Sequence, residues 1–210
     1  MMTLHGYFRS SASWRVRIVL GLKGLAVEQR AHHLRLGEHR APGYRAINPQ
    51  GFVPALELDD GRVLTQSLAI AEYLDALIPE PALLPIDPYA RARVRAFAQV
   101  IASDIHPVQN LRILAHLRSL GIDEDDVRQW AADMIEDGLD ACERLITDET
   151  GPYCFGAAPT LADACLVPQL YNARRFGVTI RWPRLAAIDS HCREHPAFAA
   201  ADAAAQPDAE

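Results

Sequence analysis

Three serines fall within four residues near the start of the chain, in Tyr7-Phe8-Arg9-Ser10-Ser11-Ala12-Ser13-Trp14-Arg15. Residues 3–7 before them pattern as a strand. Residues 13–22 pattern as a helix, with Val16, Val19 and Leu20 on one face and Gly24 placed to end it. A strand that enters a helix through a hydroxyl-rich turn presents unpaired backbone N–H groups and the positive end of the helix dipole. Such a turn stabilises an anion, and it lowers a thiol's pKa below the ~8.5 of a free cysteine. The cysteines of this chain, Cys142, Cys154, Cys165 and Cys192, all lie in the second half. A thiolate stabilised at the turn therefore has to belong to a ligand. A plain helix cap accounts for the same serines equally well, and the segment alone does not separate the two.

Other segments offer complementary groups. In Val53-Pro54 a proline opening a strand suggests an edge or a cis bond, which turns the Val53 backbone outward for pairing with a peptide-like ligand. An edge proline without a role is the plainer alternative. Gln66-Ser67 at a helix start combines free N–H groups with a hydroxyl and an amide, a set suited to a carboxylate, or a simple cap. Residues 104–112 hold many polar groups between apolar helices. On a helix His106 and Asn110 would stand one turn apart with Arg112 close by, a spacing that could turn all three to a cleft, although His106 also fits a structural histidine beside Pro107. Arg174-Arg175 lies near a helix end, where cations are favoured in any case.

The elements that must position these groups change character along the chain. Residues 28–33 read as a second strand, so the opening is a strand–helix–strand unit with a parallel pair. Residues 52–64 read as a hairpin turning at Asp60-Gly61, and Ser67 as the N-cap of a helix to Leu77. Pro79, Pro81, Pro85 and Pro88 then mark a linker. Beyond it, residues 89–105, 106–120, 124–146, 160–174 and 183–195 pattern as helices. Thr160-Leu161-Ala162-Asp163 is a reciprocal cap. The Ala-rich residues 199–210 read as a frayed tail. The expected organisation is an α/β domain over residues 1–80, a linker over 81–88 and an all-α domain over 89–210.

Bulk properties narrow the function classes. The 210 residues carry a net charge of −6, with no basic footprint for nucleic acid. No apolar run approaches the roughly 20 residues that cross a bilayer, and the first residues lack a secretory pattern. The cysteines show no metal-ligand spacing, so no metal and no disulfide is expected. A reduced cytoplasmic protein is the simplest reading.

In order and near-spacing, these segments resemble the zeta class of the glutathione S-transferase superfamily, the class of maleylacetoacetate isomerase and the similar bacterial maleylpyruvate isomerase. Ser10-Ser11-Ala12-Ser13-Trp14-Arg15-Val16-Arg17-Ile18 is similar to the class signature Ser-Ser-Cys-Ser-Trp-Arg-Val-Arg-Ile. Asn48-Pro49-Gln50-Gly51-Phe52-Val53-Pro54, Gln66-Ser67-Leu68-Ala69-Ile70, Asp104-Ile105-His106-Pro107 and Ala173-Arg174-Arg175-Phe176 support it. The resemblance implies a thioredoxin-like N-terminal domain, an all-helical C-terminal domain, glutathione as cofactor and a homodimer. It assigns Ser10, Ser11, Ser13 and Arg15 to the glutathione thiol. The Val53 backbone, preceding a cis Pro54, goes to the cysteinyl part, and Gln66 and Ser67 to the γ-glutamyl carboxylate. His39, His106, Asn110 and Arg112 match further glutathione contacts, and Arg9 and Arg175 match positions facing an acidic substrate. The class cysteine is Ala12 here, which is tolerable if the reacting sulfur is that of glutathione.

The implied activity is cis–trans isomerisation of a dicarboxylic maleyl keto-acid, with glutathione transfer to electrophiles as a minor activity. A general conjugating enzyme and a non-catalytic binding protein on the same fold are the rival readings. Arg9, Arg112 and Arg175 speak against the first, and the retained serines against the second.

Overall fold

The computed structural model describes residues 1–210, which divide into two compact units, Met1–Ala82 with Glu194–Glu210, and Leu83–Arg193. In the first unit β1 (Thr3–Gly6) leads into α1 (Ser11–Leu22) and β2 (Glu28–Ala31). A single 3-10 turn (Glu38–Arg40), α2 (Pro42–Ile47), β3 (Ala55–Glu57), β4 (Val63–Thr65) and α3 (Ser67–Leu77) follow. The sheet order is β2-β1-β3-β4. β1 pairs parallel with β2, Leu4 opposite Gln29, and antiparallel with β3, Leu4 opposite Leu56. This is the expected thioredoxin-like arrangement, with the hairpin closed at Gly61 (φ 83°), a conformation that suits glycine. Every residue of α1 from Ser11 to Leu20 is buried, because α3 packs on one side of it and the C-terminal segment on another.

The second unit is helical throughout. α4 (Pro88–Gln99) starts on Asp87, whose side chain accepts from Ala90 N at 2.8 Å. A π-helical turn (Val100–Ile105) continues it. Then come α5 (Leu111–Ser119), α6 (Glu124–Leu145), α7 (Leu161–Arg175) and α8 (Pro183–Glu194). Three acidic residues, Glu124, Asp125 and Asp126, occupy the first turn of α6, where the dipole favours them. The reciprocal cap of α7 forms as its spacing predicts: Asp163 accepts from both Thr160 N and Thr160 Oγ1 at 2.8 Å. The same carboxylate accepts from Cys154 N at 2.8 Å, so it also fastens the preceding loop. No helix is long and apolar enough to cross a membrane.

Three sequence expectations are corrected. Residues 106–110 are not helical: His106 N donates to Ile101 O at 2.9 Å, one residue further back than in an α-helix, and Asn110 rather than His106 opens α5. Pro107, which has no N–H, disfavours an uninterrupted helix through this point. Ser67 is not the cap of α3; Gln66 takes that position with φ 70° and no side-chain cap. Residues 199–210 are not frayed. Pro196–Ala201 forms α9 and Ala203–Ala205 a 3-10 turn, and both belong with the first unit. Gly21 of α1 allows this approach, since a Cβ there would stand 3.0 Å from Ala197 Cβ.

The π-helical turn depends on one glycine. A Cβ on Gly138 of α6 would lie 2.2 Å from Ile105 Cγ1. Gly138→Ala is therefore expected to destabilise the protein by about 1–3 kcal/mol, read as a lower urea midpoint. With Ile105→Ala added, the loss should be smaller than the sum of the two single losses.

Candidate functional site

β1 delivers the chain to α1 through a four-residue turn in which Ser10 N donates to Tyr7 O at 3.0 Å. Ser10 is the N-cap, and its Oγ accepts from Ser13 N at 3.2 Å. Ser11, 4% exposed, opens the first turn of α1. Ser13 is wholly buried, and its Oγ stands 3.3 Å from where a Cβ on Gly6 would be, so it packs beneath β1. Arg15, 1% exposed, donates from Nη1 to Ser67 Oγ at 3.3 Å. The hydroxyl expected to cap α3 is thus engaged by a guanidinium from α1. Neither α1 nor α3 has an acidic residue in its first turn, so the N–H groups of both ends keep their affinity for an external anion.

Gln66 is the one non-glycine residue with positive φ, a conformation costing about 1–3 kcal/mol. It is held by Nε2 donating to Gln50 Oε1 at 3.0 Å. The Val53-Pro54 bond is cis. The residue before it is pinned, because Phe52 O accepts from Tyr44 Oη at 2.5 Å and from Asn48 Nδ2 at 2.7 Å. Asn48 Oδ1 also accepts from Gln50 N at 3.1 Å, closing the loop on itself. Tyr44 and Asn48 escaped the sequence reading as functional residues. The Asn48-Pro49-Gln50-Gly51 turn chemistry was a signal for the second, and nothing local marked the first.

A histidine cluster supports Tyr44. His5 Nδ1 lies 2.9 Å from His32 Nε2, His5 Nε2 lies 3.3 Å from Glu57 Oε2, and the His32 and Tyr44 rings are 4.1 Å apart. Burial, and then the neighbouring His5, holds His32 below the usual imidazole range. His39, in the 3-10 turn, is lowered by burial and then by Arg40 and Arg45. Its backbone carbonyl abuts Gly51, where a Cβ would lie 3.0 Å away, which brings the His39 segment to the loop that precedes Val53. Arg9 is half-buried, with its guanidinium 5.6 Å from the Phe8 ring centroid.

In the second unit His106 follows the π-helical turn. Asn110 caps α5, its Oδ1 accepting from Arg112 N at 3.0 Å and Ile113 N at 3.4 Å. Arg112 is exposed. The adjacent arginines of α7 separate in role. Arg174 pairs with Asp189 at 2.7 Å, whereas Arg175 donates to Asn172 Oδ1 at 3.0 Å and lies 5.7 Å from the Phe176 ring centroid. The four cysteines are buried, and burial pushes the Cys142 thiol up to about 12 and raises Cys154 and Cys192 as well. No group of histidine, cysteine and acidic residues could hold a metal ion.

The first unit is a thioredoxin-like domain whose sheet leads into two helix ends free of carboxylates and carries a cis-proline loop. Residues 9–77 match the family model of the glutathione S-transferase N-terminal domain, and residues 88–200 that of its C-terminal domain. Maleylacetoacetate isomerase of Pseudomonas aeruginosa is 50% identical over 99% of this chain and 98% of its own length. Maleylpyruvate isomerase of Ralstonia is 46% identical over 99% of both. The holo structure of a maleylpyruvate isomerase, a bacterial zeta-class enzyme, superposes with a TM-score of 0.96 at 46% identity, covering 99% of this chain and 100% of the other. Maleylacetoacetate isomerase of Anaeromyxobacter dehalogenans with glutathione in its active site gives 0.91 at 46% identity, covering 100% and 98%. The chain belongs to the glutathione S-transferase family, in the zeta class that contains these isomerases.

The histidine cluster predicts a pH effect on stability. His32 is harder to protonate folded than unfolded, so its contribution is complete above the unfolded pKa of about 6.5 and is lost as pH falls below it. The urea midpoint should therefore drop between about pH 7.5 and 5.5, and His32→Gln should flatten part of that drop.

Proposed function

We propose that the protein is a glutathione-dependent cis–trans isomerase that converts a maleyl keto-acid, maleylacetoacetate or maleylpyruvate, to its fumaryl isomer in aromatic catabolism. The observation that carries this reading is the bond from Arg15 Nη1 of α1 to Ser67 Oγ in the first turn of α3, together with the Tyr44 and Asn48 bonds that fix Phe52 O just ahead of Val53 in the chain. The residues present fit glutathione. One helix end suits its thiolate, the other its γ-glutamyl carboxylate, and the loop between them offers a strand edge to its peptide.

When bound, glutathione supplies the sulfur that converts the cis double bond to a rotatable single bond and is then released unchanged. The chain provides the field and the orientation. Backbone N–H groups at Ser11 and Ala12, with the Ser10 and Ser11 hydroxyls, would hold the sulfur as an anion. Ser13 acts from beneath, by packing under Gly6. Arg15 adds positive potential at the thiol site while it donates to Ser67 Oγ; Gln66 and Ser67 hold the γ-glutamyl end, and the Val53 backbone, ahead of Pro54, the cysteinyl part. His39, His106, Asn110 and Arg112 take further glutathione contacts. Arg9 and Arg175 orient the two acidic ends of the substrate, a task suited to guanidinium geometry. With its own four thiols buried, and those of Cys142, Cys154 and Cys192 raised in pKa by burial, the protein borrows its sulfur, which accounts for the tolerance of Ala12. A homodimer and a cytoplasmic location are part of the same proposal.

The test is an isomerisation assay on maleylacetoacetate and on maleylpyruvate, each with and without glutathione. Turnover of at least one substrate that requires glutathione is expected, and turnover indifferent to glutathione would sink the mechanism. Arg175→Met should lower turnover by a factor on the order of a hundred, the value of about 3 kcal/mol of oriented charge, with glutathione affinity nearly unchanged. Equal loss of both would remove Arg175 from the substrate site.

A further inference from the structure

The turn that carries Arg9 and Ser10 is held by groups remote from it in sequence. Arg17, 7% exposed, donates from Nη2 to Phe8 O at 2.8 Å, from Nη1 to Tyr7 O at 3.4 Å and from Nε to Ala201 O at 3.1 Å. Asp208 Oδ2 accepts from Phe8 N at 2.9 Å. Phe8 is the first central residue of the turn closed by Ser10 N and Tyr7 O. Its two backbone polar groups are thus fixed from opposite sides, the carbonyl by α1 and the N–H by the C-terminal segment. That segment is itself anchored. Gln206 donates from Nε2 to Ala200 O at 2.9 Å and Asp202 O at 2.8 Å, and Glu210 pairs with His33. Burial lowers the Arg17 pKa to about 10, opposed by the Asp208 and Asp202 carboxylates, so the guanidinium remains charged at neutral pH.

We propose that Asp208, with Arg17, is a positioning residue of the glutathione-thiol turn: by fixing both backbone groups of Phe8 it sets the direction of the Ser10 cap and of the Arg9 side chain. The inference rests on the proposed function, in which this turn holds the thiolate. It gives the C-terminal segment a catalytic purpose beyond closing the first unit.

The direction of the pKa change separates positioning from charge. Removing a nearby carboxylate, by itself, favours an anion and lowers the pKa of a bound thiol. Loosening the turn misaligns the N–H groups and raises it. The experiment measures thiolate absorbance of glutathione bound to the intact protein as a function of pH, together with kcat and KM. The proteins compared are wild type, Asp208→Ala and Asp208→Asn. Asp208→Ala should raise the bound-thiol pKa by about one unit and lower kcat/KM roughly tenfold. Asp208→Asn, which keeps a carbonyl acceptor for Phe8 N, should restore most of both. An unchanged or lowered thiol pKa in Asp208→Ala overturns the proposal, as does equal damage in Asp208→Asn. A lowered thiol pKa in wild type alongside either of those results leaves the functional reading standing. Failure of wild type to bind glutathione removes both.

Discussion

Arg15 of α1 carries a guanidinium almost wholly withdrawn from water, which donates to a hydroxyl in the first turn of α3. A cation in that position is costly unless the surrounding groups are fixed around it. Much of the first unit serves that fixation. Trp14, Val16 and Ile18 on the same helix are buried at 1% exposure or less, which leaves α1 no freedom to rotate the arginine outward. Gln66 accepts a left-handed backbone that places Ser67, and not itself, at the guanidinium. The result sets one buried charge at the first turn of α3, with no acidic residue in the first turn of either helix, a concentration of positive potential that an anionic ligand relieves.

Local chemistry made part of this arrangement readable from the sequence. The strand–helix–strand opening, the Asp60-Gly61 hairpin and the reciprocal cap of α7 each depend on residues within a few positions of one another, and each is present. The errors lie where a distant partner competes. Ser67 looked like a cap because no local sign shows that Arg15, 52 residues earlier, claims its hydroxyl. The Ala-rich end looked frayed because its value comes from partners far away: Asp208 answers the Phe8 N–H and Ala201 the Arg17 guanidinium, across separations of 200 and 184 residues. The π-helical turn escaped notice for the same reason, since its room is supplied by Gly138 on another helix.

The site residues divide along the same line. Ser10 through Arg15 fit an anion site and a plain helix cap equally well by type and spacing, and the sequence does not show which serine does what. The structure makes Ser10 a cap, sets Ser11 in the first turn and puts Ser13 under the sheet. Tyr44 and Asn48 hold the residue before Val53 through a backbone carbonyl, so only the turn chemistry around Asn48 marks one of them in the sequence and nothing local marks Tyr44. Recognition by the main chain leaves little signature in the side chains that enforce it.

A protein whose reacting sulfur comes from a small peptide has nothing of its own to activate except geometry. Its four thiols are buried, and its class cysteine is alanine. Small displacements of the backbone then matter as much as replacement of a side chain, because oriented N–H groups act over short range. Arg9 and Ser10 share one tight turn, so under the proposed roles an error in that turn displaces the substrate-facing guanidinium and the thiol cap together. A turn carrying both duties cannot be left to its single internal hydrogen bond, worth about 1 kcal/mol net. The bracing from α1 and from the distant C-terminal segment is the physical answer to that demand.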